Sequence, residues 1–153
     1  MRMTRFNISK NYPEMQKPLN KAAMDSRKVA KSHGLTDEIL ELVNVRVSQI
    51  NGCVACMSSH VPALRKAGMK QELIDLIPVW RDLEAPFTPE QRVALELAEA
   101  FTVMDHKTDR DMVVDEARDY YTDEQIGALE WTIILINAFN RISIASAHKP
   151  ANL

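Results

Sequence analysis

Glycine is scarce, with four residues in 153, and aromatic side chains make up only 6% of the chain. A β-sandwich needs turn residues at short intervals and aromatic and β-branched residues in its strands, so this poverty points away from that class. Eight methionines lean towards helix. Charge of one sign is also lacking: nineteen basic against twenty-one acidic side chains leave a net charge of −2. Such a balance offers no electrostatic footprint for nucleic acid, and none is expected as a partner. Long hydrophobic runs are missing as well. The aliphatic run Ile133 to Ile136 falls far short of the ~20 residues that span a bilayer. The amino-terminal stretch MRMTRFNISKNYPEM has no apolar segment resembling a signal peptide. The expectation is a cytoplasmic protein without a membrane partner.

Cysteine occurs twice, as Cys53 and Cys56. A chain of this length buries a core large enough to fold without a disulfide framework. In a reducing compartment such a pair points to metal binding or catalysis before structure.

What is present is a globular composition, 46% hydrophobic and 26% charged, with a length that suits a single domain over residues 1–153. Pro13, with Pro18 directly after the segment, and weak periodicity make residues 1–17 read as an extended arm. Helical composition then runs from Pro18 to His33, with Gly34 as its stop. Thr36 precedes Asp37 and Glu38, an N-cap with acidic residues where the helix dipole favours them, and that helix ends at Asn51-Gly52. Further helices are expected from Cys53 to Gly68, with Pro62 kinking or restarting it, and from Lys70 to Ile77. Residues 78–87 read as a packed connector holding Trp80. Thr88-Pro89-Glu90-Gln91 opens a helix with a capping box and an N1 proline, running to Met104. Arg110–Tyr120 follows. Thr122 and Gln125 then start a last helix that reaches Ala147. About seven helices and no strand make an all-α, compact single-domain bundle. Within the last helix, Ile133 to Ile136 point all round the axis, so that helix needs cover on every side, from its own chain or from another subunit.

The chemistry concentrates at Cys53, Cys56 and His60. On a helix turning 100° per residue these three share about 60° of arc, on the side that also carries Met57, Val61 and Leu64. The helix start favours a thiolate at Cys53, and His60 lies one turn past Cys56, where it can take a thiol proton. Two cysteines at this spacing can come close enough for a disulfide. Nucleophile, base and second thiol together make a redox centre, in which a sulfenic acid formed by peroxide condenses with the neighbouring thiol. Two plainer readings stand beside it. Structural zinc wants four ligands, and only His33, His106 or His148 could complete the set, by tertiary accident. A chance pair of buried cysteines beside a core histidine is the other.

The stretch from Glu41 through Asn51-Gly-Cys53-Val-Ala-Cys56-Met-Ser-Ser-His60 resembles the alkylhydroperoxidase D-like branch of the carboxymuconolactone decarboxylase superfamily, with the likeness running from about Glu38 to Gly68. Ile136-Asn-Ala-Phe-Asn-Arg141-Ile resembles the closing helix of its peroxidase-related members. The resemblance implies a compact all-helical fold assembling into homo-trimers or homo-hexamers. It makes Cys56 the thiol that attacks peroxide and Cys53 the resolving thiol. His60 would deprotonate Cys56, and Glu41 would orient that histidine. It further implies a small-molecule peroxide as substrate and a dithiol or thioredoxin-like electron donor, with no metal and no bound cofactor. The family prototype has a histidine directly before the second cysteine, where this chain has Ala55, so one proton-handling group is missing. The alternatives are a general disulfide oxidoreductase, a redox-sensing helical module, and a lactone decarboxylase, whose chemistry has no need of a cysteine pair.

On a helical wheel alone, Glu41 falls with Asn44 and Ser48 on a polar side where a solvated carboxylate is the usual outcome. Arg46 lies inside the apolar arc and must find a salt-bridge partner. His33 reads as a helix-end cap, His106 as a loop residue and His148 as surface. Trp80 and Trp131 read as core or interface.

Overall fold

A computed structural model describes residues 4–151. Among them are eight α-helices, one 3-10 segment and no strand. In chain order the helices are α1 (Ile8–Asn11), α2 (Pro13–Ser32), α3 (Asp37–Asn51), α4 (Val54–Lys66), α5 (Gln71–Leu76), α6 (Pro89–Val103), α7 (Arg110–Ala117) and α8 (Asp123–Ala145). The 3-10 segment, Ile77–Asp82, follows α5 directly.

Local chemistry sets most of the boundaries. Thr36, Thr88 and Thr122 each accept a hydrogen bond from the third backbone N–H of their helices. At Thr88 and Thr122 the glutamine of the box reaches back to the cap, as the sequence predicts. α3 ends on Gly52, whose φ of 68° is left-handed. No atom lies within 4 Å of a Cβ placed there, so the positive φ, and not crowding, is what asks for glycine. That turn delivers the chain straight into Cys53.

The expected extended arm over residues 1–17 is mostly helical: residues 4–7 lie outside any helix, but α1 covers Ile8–Asn11 and α2 already begins at Pro13. Its first three residues lie outside the described residues. Pro13 takes the N1 position, where a missing N–H costs nothing, while Pro18 sits inside the helix and removes one backbone bond. Packing of α2 along α8 offsets that loss. Pro62 is likewise carried inside an unbroken α4. The connector after α5 is not irregular throughout, because its first half winds into the 3-10 segment.

α3 is the central helix. Leu40, Val43 and Val47 face α6 and α8, meeting Leu97, Leu129 and Ile133. Leu42 and Val45 face the other way, into a second cluster with Leu64, Ile77 and Trp80. The Ile133–Ile136 stretch of α8 is apolar all round, but this part of the helix is not covered all round. Ile133, Leu135 and Ile136 are buried by the chain itself, while Ile134 is 53% exposed and Trp131 59%.

Arg46 finds its partner in Glu99 on α6, at 2.8 Å. The same carboxylate accepts from the Trp80 indole at 2.8 Å and from Arg81 at 2.6 Å. Trp80 lies in the core, with Arg81 stacked on its ring at 4.5 Å. Together these contacts clip the 3-10 segment to α6 and α3.

Candidate active site

Cys53 is the N-cap of α4: its sulfur accepts from the Cys56 backbone N–H at 3.3 Å. The two sulfurs are joined in a disulfide with a Cα–Cα distance of 5.3 Å, ordinary for such a bond. Both residues are buried. They face different spaces. Cys56 lines a cavity of about 610 Å³, whereas Cys53 lines a smaller neighbouring one of about 200 Å³.

His60, one turn further along α4, lines the same large cavity as Cys56. Its Nδ1 pairs with Glu41 Oε2 at 2.7 Å. Glu41 comes from the middle of α3, and its other oxygen accepts from Arg27 Nη1 at 2.7 Å. Arg27, on α2, donates its second Nη to Asp37 at 2.7 Å. The chain of contacts therefore runs from α4 through α3 to α2. Burial works against the charge on Glu41, but the hydrogen bonds and charges of His60 and Arg27 outweigh it and hold its carboxyl below the usual range.

Glu41 is not the solvated carboxylate of the wheel reading; it is 5% exposed. The wheel treats a polar stripe as a wet one, yet α3 is surrounded, so its polar side faces the cavity and α8. Ser48 on that side is fully buried and accepts from Asn140 Nδ2 at 3.0 Å. Asn44 borders the cavity.

His148 is not a plain surface residue either. It is half-buried in the cavity wall, with Nε2 at 3.2 Å from Ser9 Oγ and Nδ1 at 3.2 Å from Ser143 Oγ. His106 is exposed, and His33 is exposed at the end of α2, where its carbonyl accepts from Gln125. Neither lines this cavity, and among the described residues no group of three or more His, Cys, Asp or Glu is placed to hold a metal ion. No helix there is long and apolar enough to cross a membrane.

Sequence reasoning missed Arg27 and the tail residues His148 and Lys149. For Arg27 a signal exists: Ala23, Arg27 and Ala30 recur at helical spacing, which sets an arginine on a small-residue face as Arg46 is set on an apolar one. The tail follows the end of α8 and carries no periodicity that could place it beside Cys56.

A model of the carboxymuconolactone decarboxylase family matches residues 13–100. An uncharacterized protein of Bacillus subtilis (strain 168), YdfG, is 34% identical over 142 residues, covering 93% of this chain and 96% of that one. Among solved structures, a protein of unknown function from Agrobacterium tumefaciens, proposed to be the antioxidant defence protein AhpD, superposes with a TM-score of 0.81. The identity is 31%, over 99% of this chain and 100% of that one.

Proposed function

This chain belongs to the carboxymuconolactone decarboxylase family, in its alkylhydroperoxidase D-like branch, and from that premise we propose that it is a thiol-dependent peroxidase. The observation that carries the reading is the Cys53–Cys56 disulfide at the start of α4, with Cys56 opening on a cavity shared with a carboxylate-bound histidine.

The cycle starts when an external dithiol, small or thioredoxin-like, reduces the disulfide and leaves two thiols. His60 takes the Cys56 proton, directly or through water, while Glu41 fixes the imidazole and balances its charge. The Cys56 thiolate attacks the outer oxygen of the hydroperoxide and the O–O bond breaks. The leaving alkoxide takes a proton from His60 and departs as the alcohol, and Cys56 becomes a sulfenic acid. The Cys53 thiol then attacks that sulfur and gives up its proton to the leaving hydroxide. Water departs, and the disulfide returns. Two electrons pass from the dithiol to the peroxide, and no metal or bound cofactor enters the cycle.

Rapid mixing of the reduced protein with an organic hydroperoxide tests the reading. Both thiols should be lost per chain within seconds, with one alcohol formed. Thiol loss to a disulfide substrate but none to any peroxide would make the protein a general disulfide oxidoreductase instead.

A further inference from the structure

Beyond α8 the described chain, as far as Ala151, folds back onto the molecule. Ala147 takes a left-handed φ of 51°, a conformation that non-glycine residues rarely adopt, and turns the chain back towards α4. The Ala151 backbone N–H donates to Ser58 Oγ at 3.0 Å, two residues after Cys56. Ser146 Oγ accepts from the Ile8 N–H at 3.2 Å, and His148 is held between Ser9 and Ser143. Residues 147–151 thus form a strap fastened at several points, and His148, Lys149 and Ala151 become part of the wall of the Cys56 cavity. The strap lies outside the residues matched by the family model.

Two properties of the cavity bear on what it admits. The first is size. At about 610 Å³ it greatly exceeds hydrogen peroxide, whose two oxygens need little more than the ~30 Å³ share of a water molecule. Much of its wall is hydrocarbon, from Leu40, Leu135, Ile136 and Phe139. The second is charge. In a chain of net charge −2, the cavity wall carries Arg27 and Lys149 and, among the described residues, no acidic side chain. Arg27 is committed to Glu41 and Asp37. Lys149 has no salt bridge among the described residues and is exposed at the rim.

We propose that this cavity takes the hydroperoxide of a long-chain carboxylic acid, with its chain along Leu40, Leu135, Ile136 and Phe139 and its carboxylate at Lys149 on the strap. The proposal rests on the peroxidase reading and narrows its substrate class. The charge-assisted contact lies at an exposed rim, so its worth is modest, about fivefold in rate at low salt, and it fades as salt is raised.

The test compares linoleic acid hydroperoxide with its methyl ester, which removes the charge and adds one methyl group at the same end. The wild-type protein should favour the acid by about fivefold in kcat/KM at low salt, through KM. In Lys149→Gln the ratio of acid to ester should fall to near one, and Lys149→Arg should restore it. A wild-type ratio of one, or a ratio that Lys149→Gln leaves in place, overturns the proposal. Calorimetric binding of linoleate, which has no peroxide group, separates this idea from the reading beneath it. Lys149-dependent binding in a protein that consumes no hydroperoxide keeps the site and removes the peroxidase. Hydroperoxide turnover with linoleate binding equally to wild type and Lys149→Gln keeps the peroxidase and removes the site.

Discussion

Glu41 holds a hydrogen bond on each carboxylate oxygen, both at 2.7 Å, so its position is set by α2 and α4 together. In the proposed cycle an anionic Glu41 stabilises the positive charge that His60 acquires on taking the Cys56 proton. His60→Ala should therefore move alkylation of reduced Cys56 to higher pH, because a largely buried thiol loses its base. Glu41→Gln should produce a smaller move in the same direction, since it removes only the supporting charge. A pH profile of iodoacetamide labelling reads both, and an unchanged profile in His60→Ala would leave His60 as a packing residue. The two sulfurs differ in what they face, which predicts their division of labour. Cys53→Ser should still give a dimedone-trapped sulfenic acid with peroxide, and Cys56→Ser should not at a comparable rate; equal trapping would refute the assignment. Cys53, Cys56 and His60 were legible because one helix brings them into phase. Glu41 was legible only through resemblance, since a helical wheel knows the periodicity of its own helix and nothing of what surrounds it.

At the scale of elements, the same distinction separates what the sequence showed from what it hid. Capping boxes at Thr88 and Thr122 are satisfied within four residues, so they could be read directly. The start of α2 is exposed, with Met15 72% accessible, so no burial pattern marks it. Prolines read as breakers masked it, although Pro13 only takes the N1 position. Arg46 was readable in kind, as a buried guanidinium needing a partner, although Glu99 could not be named in advance. Glu99 itself gathers Trp80, Arg81 and Arg46. Burial opposes its charge, but the Trp80 and Arg81 hydrogen bonds and the Arg46 charge prevail, and its carboxyl lies below the usual range. A depressed carboxyl contributes stability that is present above the unfolded value of ~4.3 and is lost as pH falls through the folded one. Glu99→Gln should destabilise the fold at pH 7 by about 2 kcal/mol, between the values for exposed and fully buried pairs. It should also flatten the loss of stability below pH ~4.5. Denaturant melts at pH 7 and in the acid range measure both, and parallel pH curves for the two proteins would contradict the account.

On the whole molecule, the apolar surface is unevenly placed. Trp131 and Ile134 of α8 stand exposed, and Trp131 shares a groove of about 500 Å³ with Ala22 and Val29 of α2. This is the side of the last helix that its own chain leaves uncovered, and we expect a homo-oligomer to cover it. Trp131→Glu should shift sedimentation towards the monomer, whereas a wild-type monomer at micromolar concentration would end the idea. A different feature binds the interior. Asn140, fully buried on α8, donates to Ser48 at 3.0 Å and accepts from Asn51 at 3.0 Å. Asn51 also donates to Asn137 at 2.9 Å, and Asn137 donates to Thr102 on α6 at 3.0 Å. Ser48 and Asn140 are fully buried, so changing either alone strands the other out of reach of water, at a cost of about 1–3 kcal/mol. Changing the set together need not carry that cost. In a library randomised at 48, 51, 137 and 140, folded survivors should fall into two camps, one fully matched in donors and acceptors and the other wholly apolar. Mixed combinations should be depleted, so tolerance at any one of these positions would depend on which residues occupy the other three.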